Sequence, residues 1–153
     1  MQVAPVNRFE VLVVDDEPGD VALVKLALRE SRFDCRVTVA VNGRQALSVL
    51  NKSPGHEWAP TPDLVLLDLN MPQMNGREVL SAMKADPRLA LIPVVVLSTS
   101  DVDRDVTASY SSGAAGFVTK PADMDEMFRA IHGIEEYWFG IVRGPRAAGD
   151  CRR

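Results

Sequence analysis

The stretch Asp63-Leu-Val-Leu-Leu-Asp68-Leu-Asn70-Met71-Pro72 begins as an apolar run and ends abruptly in polar residues and proline. A short run of Val and Leu with such an end predicts a buried strand of a parallel sheet. Asp68 directly follows this strand, at the edge where open α/β sheets bind ligands outside the carboxyl ends of their strands. Asp68 is therefore a candidate functional residue, provided that other strands bring partners to the same edge.

Three further strand-like runs also end in charged or hydroxyl-bearing residues. If all four strands are parallel, an acidic pair, a hydroxyl and an ammonium group converge with Asp68 on one small site. Each element alone is compatible with a helix cap or a solvated turn, so the inference depends on their combination. The runs and the residues that follow them are Phe9–Val14 with Asp15 and Asp16, Ile92–Leu97 with Ser98, and Ala115–Val118 with Thr119 and Lys120.

The remaining periodicity completes an alternating α/β pattern. A further short strand is predicted over 36–40, and apolar residues recur at helical spacing in five segments that follow the strands. Five strands that alternate with five helices predict a doubly wound five-stranded parallel sheet with helices on both faces, in the flavodoxin-like strand order 2-1-3-4-5. The predicted helices cover 18–30, 43–50, 76–85, 102–112 and 123–138.

Length and composition limit the class of protein. A chain of 153 residues suits one domain with its own core, and a net charge of -4 lacks the basic footprint of a nucleic-acid-binding protein. The sequence shows neither a membrane-length apolar run nor a secretion signal, so we expect a cytoplasmic protein with no membrane partner. Cys35 and Cys151 lie far apart without neighbours at metal-ligand spacing, which predicts reduced thiols.

The four strand ends, taken in order, resemble those of the receiver domains of bacterial two-component response regulators, the CheY-like family. The resemblance covers roughly 9–138, and it rests on an acidic pair, a lone Asp, a Ser or Thr and a Lys-Pro, each closing its own strand. The run 93–110 and the ending Glu136-Tyr137-Trp138 are similar to single-domain regulators that partner phytochrome-type sensor kinases. We therefore expect a flexible lead over 1–8, a receiver domain over 9–139 and a flexible tail over 140–153.

The resemblance implies a divalent-cation site, because clustered carboxylates repel one another unless a cation lies among them. Mg2+ prefers octahedral oxygen ligands and keeps several of its waters. The expected ligands are Asp16, Asp68 and the main-chain carbonyl of Asn70, with Asp15 acting through water.

The resemblance also implies a phosphoryl acceptor rather than an enzyme in its own right. Asp68 would accept the group from a phosphohistidine on a sensor histidine kinase, with a bacteriophytochrome as the candidate partner. Lys120 would contact one phosphoryl oxygen, and Ser98 Oγ would donate a hydrogen bond to another. Movement of Ser98 would allow Phe117 to swing inward as a switch, although the family commonly has Tyr at this position and Thr in place of Ser98. The result would be a two-component phosphorelay protein that signals by conformational change and protein contacts.

Two other interpretations are compatible with parts of the pattern. Phosphohydrolases of the haloacid dehalogenase type also place an Asp after a buried strand, but they need a second Asp two residues later, where this chain has Asn70. A pseudo-receiver that binds partners without phosphorylation usually lacks an acidic residue or the Lys, and this chain has all of them. Phosphorylation by acetyl phosphate with Mg2+ separates the three interpretations.

The apolar residues at the end of the last helix exceed what one buried stripe needs. Tyr137, Phe139, Ile141 and Val142 extend the apolar surface beyond that stripe, and large exposed aromatic residues favour an interface. The pattern predicts a homodimer through the fourth helix, fifth strand and fifth helix. The alternative is that Trp138 and Phe139 fold back over their own sheet.

Overall fold

The computed structural model describes residues 8–69, 71, 74–99 and 103–141. In these residues, strands and helices alternate, and a π-helical turn, here called the terminal turn (Glu136–Ile141), follows the last helix. The strands are β1 (Arg8–Val14), β2 (Asp34–Ala40), β3 (Leu64–Leu67), β4 (Val94–Ser98) and β5 (Gly116–Thr119), and the helices are α1 (Pro18–Arg29), α2 (Gly43–Leu50), α3 (Gly76–Ala85), α4 (Asp103–Ser111) and α5 (Met124–Glu135).

The strands form one parallel sheet in the order β2-β1-β3-β4-β5, which confirms the predicted fold. The register aligns Val14 of β1 with Leu67 of β3, so the two strands end side by side. The strand order changes direction here, because β1 is followed on one side by β2 and on the other by β3. This switch point is where doubly wound sheets open a crevice for a ligand.

The core lies in two layers, one on each face of the sheet. Alternate strand residues point to opposite faces, so Leu12 and Val14 belong to one layer and Val11 and Val13 to the other. Helices α2 and α3 cover the first layer, with Ala46, Val49, Val79, Leu80 and Met83, and helices α1 and α5 cover the second, with Val24, Ala27, Leu28, Met127, Ile131 and Ile134.

The terminal turn packs against the amino-terminal end of the sheet. Phe139 stacks on Phe9 with ring centroids 4.1 Å apart, and Phe33 contacts both rings edge-on. The Arg32 guanidinium donates two hydrogen bonds to the Glu136 carboxylate, at 2.7 and 2.8 Å. The expectation that Phe139 adds to an exposed surface is therefore wrong, because the ring covers β1 of its own chain.

The ordered elements extend slightly past the predicted domain limits. Arg8, assigned to the lead, is the first residue of β1, and Gly140 and Ile141, assigned to the tail, belong to the terminal turn. Val142, part of the predicted dimer surface, lies outside the described residues. No helix in the described part of the chain combines the length and apolar character needed to cross a bilayer.

Candidate functional site

The ends of β1 and β3 place two carboxylates next to each other. The Asp68 N–H donates to the Val14 carbonyl at 2.9 Å, and the Asp15 N–H donates to the Ala40 carbonyl at 3.0 Å, so the backbone ladder continues to both residues. Both side chains are buried, whereas Asp16 is exposed. Because β1 and β3 are parallel neighbours, Asp15 and Asp68, which are far apart in the sequence, form one acidic site.

Asp15, Asp16 and Asp68 each offer a carboxylate oxygen, and these oxygens lie within 4.8 Å of one another. Three carboxylates this close repel one another, and a divalent cation among them would remove that penalty. An all-oxygen donor set with one exposed side suits Mg2+, which prefers oxygen ligands and retains waters. The predicted carboxylate ligands are thus brought together, and Asn70, the fourth predicted ligand, lies outside the described residues.

Lys120 follows β5 and directs its ammonium group into the acidic site. Its Nζ donates to Asp15 Oδ2 at 2.7 Å and to Asp20 Oδ2 at 2.8 Å, and it lies 3.8 Å from Asp68 Oδ2. The side chain is only 6% exposed. Burial lowers the pKa of Lys120, but the hydrogen bonds to Asp15 and Asp20 and the charges of Asp15 and Asp68 outweigh it and raise the pKa above its ordinary value. The amine is therefore a fixed positive charge at neutral pH.

Ser98 lies on β4, the strand next to β3, and Phe117 lies on β5, one strand further from Asp68. Ser98 is the last residue of β4, fully buried, and its carbonyl accepts a hydrogen bond from the Lys120 N–H at 2.7 Å. Phe117 lies in the middle of β5, aligned with Val96, and its half-buried ring packs against the core layer under α2 and α3. The fold thus places the described candidate residues at the same edge of the sheet, except Phe117, which lies within β5.

Two contributors to the site were missing from the sequence prediction. Asp20, in the first turn of α1, pairs with Lys120, and the signal available was a further acidic residue shortly after Asp15, Asp16 and Glu17. Gly76 begins α3 against the backbone after Asp68, where an added Cβ would lie 2.5 Å from the Asp68 carbonyl oxygen. Only glycine permits this approach, and a lone glycine before a helical pattern gave no unambiguous signal.

A sheet of this order, with three carboxylates at its switch point and a lysine from the end of β5 beside them, has the features of a receiver domain. The family model for the response regulator receiver domain matches residues 11–132. The chain belongs to this family and is a receiver-domain response regulator.

Two members of this family, Rcp1 and RcpA, are similar to the chain over most of its length. The response regulator Rcp1 of Synechocystis sp. is 39% identical over 137 residues, which cover 90% of this chain and 93% of Rcp1. The Mn2+-bound form of Rcp1 superimposes with a TM-score of 0.85 at 38% identity, covering 90% of this chain and 99% of that one. The phosphorylated cyanobacterial phytochrome response regulator RcpA has a TM-score of 0.88 at 37% identity, covering 92% of this chain and all of RcpA. The chain is therefore homologous to phytochrome response regulators.

Proposed function

We propose that the chain is a single-domain phosphorelay regulator, with a receiver domain over 9–139, whose Asp68 carboxylate accepts a phosphoryl group. The observation that carries the proposal is the position of Asp68, which lies within an acidic group able to hold a cation and 3.8 Å from the Lys120 ammonium. Phosphoryl transfer depends mainly on positioning and on neutralising the equatorial oxygens. Asp68 meets both requirements, because its carboxylate is part of the cation site and lies beside the fixed Lys120 ammonium group.

Each residue has a distinct part in this mechanism. Asp15, Asp16, Asp68 and the carbonyl of Asn70 would hold Mg2+, which when bound neutralises negative charge at the phosphoryl oxygens. Lys120 would supply a further positive charge, from an ammonium group 3.8 Å from Asp68 Oδ2. Ser98 would donate a hydrogen bond to a phosphoryl oxygen, and Phe117 on the next strand would change rotamer in response. The phosphoryl donor is external, so we assign the chain the part of acceptor and not of enzyme.

The decisive experiment is labelling with acetyl phosphate followed by intact-mass measurement. We expect one added phosphoryl group on the wild type in the presence of Mg2+, and none after chelation. Asp68→Asn should not be labelled, whereas Asp34→Asn, an exposed carboxylate at the other end of the sheet, should behave as the wild type. A labelled Asp68→Asn protein would refute the assignment.

We also propose a sensor histidine kinase of the phytochrome type as the partner, supported by homology to Rcp1 and RcpA. The apolar side of the first helix and the Asp68 rim are the surface that the sequence suggests for docking. Val24, Ala27 and Leu28 on that side are buried in the core, so we propose the exposed side of α1 and the rim around Asp68 instead. Light should then change the phosphoryl level on Asp68 in a mixture with the matching photoreceptor kinase. The same phosphoryl level under both light conditions would leave only the general receiver assignment. The free thiol of Cys35 fits the reducing cytoplasm, where we place the protein.

We retain the homodimer through α4, β5 and α5 as a proposal, with a revised surface. Tyr110 and Tyr137 are 49% and 52% exposed. They border an open cavity of about 400 Å³ on this face, and apolar side chains this exposed favour an interface. We leave Phe139 out of the proposed interface, because its ring packs on Phe9 of the same chain. Other residues along the cavity are Val95, Phe117, Ile134 and Trp138.

A further inference from the structure

Asp20 is an additional acidic partner of the lysine that no part of the proposed mechanism uses. It is the third residue of α1, and its carboxylate accepts a hydrogen bond from Lys120 Nζ at 2.8 Å. Among the described residues, the group that can hold a metal ion consists of Asp15, Asp16 and Asp68, so Asp20 stands apart from it. Its side chain is 31% exposed, whereas that of Lys120 is 6% exposed. Asp20 therefore meets the lysine from the solvent side of the site.

The ammonium group has three N–H donors, and the structure accounts for two of them. One donor goes to Asp15 and one to Asp20, at 2.7 and 2.8 Å. The longer separation of 3.8 Å from Asp68 Oδ2 leaves room for an oxygen attached to that carboxylate. Two short hydrogen bonds thus fix the direction of the amine and leave its remaining donor for a group on Asp68.

A cation at the acidic site changes the balance between these two anchors. Asp15 belongs to the cation site, so a bound divalent ion would draw on its charge and repel the nearby ammonium. Asp20 would keep its hydrogen bond from Lys120 Nζ, because it is not part of the cation site. We propose that Asp20 is a positioning residue that holds the Lys120 ammonium toward Asp68 when the cation is bound. The proposal rests on the proposed role of Lys120 as a contact of the phosphoryl group.

The required property of Asp20 is its oxygen acceptor rather than its charge. Asp15 and Asp68 already lie beside the lysine, so the site gains little from another negative charge, and a negative charge near the phosphoryl oxygens is unfavourable. An amide oxygen at the same position would accept the same hydrogen bond. Asparagine should therefore serve in place of Asp20, whereas alanine should not.

The test uses beryllofluoride, a tetrahedral mimic of the phosphoryl group, and measures its equilibrium affinity for the Mg2+-loaded full chain by calorimetry. Asp20→Ala should weaken binding about tenfold, the size expected when a hydrogen bond to a charged group is lost. Asp20→Asn should recover most of the affinity. Asp125→Ala, which removes an exposed acid from the first turn of α5, is the matched control and should bind as the wild type. Affinity for Mg2+ alone should change by less than about threefold in Asp20→Ala, because this partly exposed charge is screened.

A double-mutant cycle makes the test specific for positioning. In the Lys120→Ala background, Asp20→Ala should have no further effect on beryllofluoride affinity, because its target is gone. Equal losses in Asp20→Asn and Asp20→Ala, or additive losses in the double variant, would overturn the inference. If Asp20→Ala binds beryllofluoride with wild-type affinity while Lys120→Ala binds it weakly, the inference about Asp20 is overturned and the proposed role of Lys120 stands. Wild-type affinity of Lys120→Ala would overturn the proposed role of Lys120 and the inference with it.

Discussion

Ser31 Oγ lies 2.7 Å from Glu135 Oε2 and 3.1 Å from the Phe33 carbonyl oxygen, although one hydroxyl proton cannot serve both acceptors. The same Oγ accepts a hydrogen bond from the Phe33 N–H at 3.1 Å. Ser31 Oγ donates to the Glu135 carboxylate, and the Phe33 carbonyl competes for the same hydroxyl proton. The buried Glu135 carboxyl group therefore joins α5 to the turn before β2 and to Cys35.

The first prediction concerns the pH dependence of stability. Glu135 is 1% exposed and its Oε1 has no hydrogen-bond partner, so burial raises its pKa above the ordinary value, against hydrogen bonds from Ser31 and Cys35. The folded state then holds a proton that the unfolded state has lost, so the free energy of unfolding falls as pH rises from about 4.5 to the folded pKa. Glu135→Gln removes this dependence.

Denaturant unfolding of both proteins between pH 4.5 and 8 measures the effect. The stability of Glu135→Gln relative to wild type should increase with pH. His132 and Glu136 lie beside Glu135, and Arg32 and Asp34 lie just before and at the start of β2. These four residues are present in both proteins, so their effects largely cancel in the comparison. A difference that stays constant across this range would contradict a raised pKa of Glu135 in the folded state.

The second prediction concerns the contact between α3 and the backbone after Asp68. A Cβ on Gly76 would lie 2.5 Å from the Asp68 carbonyl oxygen and 2.8 Å from Leu69 Cα. Gly76→Ala must move the Asp68 backbone, so we expect a loss of about 1–3 kcal/mol in stability and weaker Mg2+ binding. Gly133→Ala is the control, because its Cβ would meet nothing within 4 Å inside α5, and it should stabilise by about 0.5–1 kcal/mol. Unchanged Mg2+ affinity in Gly76→Ala would show that the Gly76 contact does not position the Asp68 backbone for cation binding.

The third prediction concerns the aromatic contacts of the terminal turn. Phe139→Ala removes the ring that stacks on Phe9 and touches Phe33, so unfolding should become easier by about 2 kcal/mol. Tyr137→Ala, in the same turn but 52% exposed, should change stability by less than about 0.5 kcal/mol. Urea unfolding compares the two variants directly. Equal effects would mean that Phe139 does not anchor the turn.

The fourth prediction concerns self-association. The wild type should be dimeric by light scattering at about 50 µM, a range in which a weak interface still shows. Tyr110→Ser combined with Tyr137→Ser should give a monomer of unchanged stability, because both side chains are largely exposed. Trp58→Ser, which changes an exposed aromatic residue in the loop before β3, should remain dimeric. A monomeric wild type at this concentration would exclude the interface.

The sequence predicted the strand order and the acidic site because both depend on a simple rule, that parallel strands end at one edge. Asp15, Asp68 and Lys120 follow strands directly, so their positions needed no knowledge of side-chain direction. Asp20 could not be assigned in this way, because it lies inside a helical turn and only the geometry shows that it reaches Lys120. A residue's partner across the fold is harder to predict than its place at a strand end.

Phe139 was misassigned for a different physical reason. The helical pattern was extended with a period of 3.6 residues through Trp138, but the backbone widens to a π-helical turn at Glu136. A wider turn changes the direction of every later side chain, so Phe139 faces β1 and not the expected exposed surface. Apolar periodicity alone does not report such a change in winding.

The stacking of Phe139 on Phe9 also fixes the position of the backbone at Ile141. Phe9 lies near the start of β1 and Asp15 follows its end, so the terminal turn and the acidic site are separated by the length of the strand, about 20 Å. A fluorescent protein fused after Ile141 would therefore begin on the side of the molecule remote from the phosphoryl chemistry. Such a fusion offers an attachment point for optical reporters that leaves access to Asp68 open.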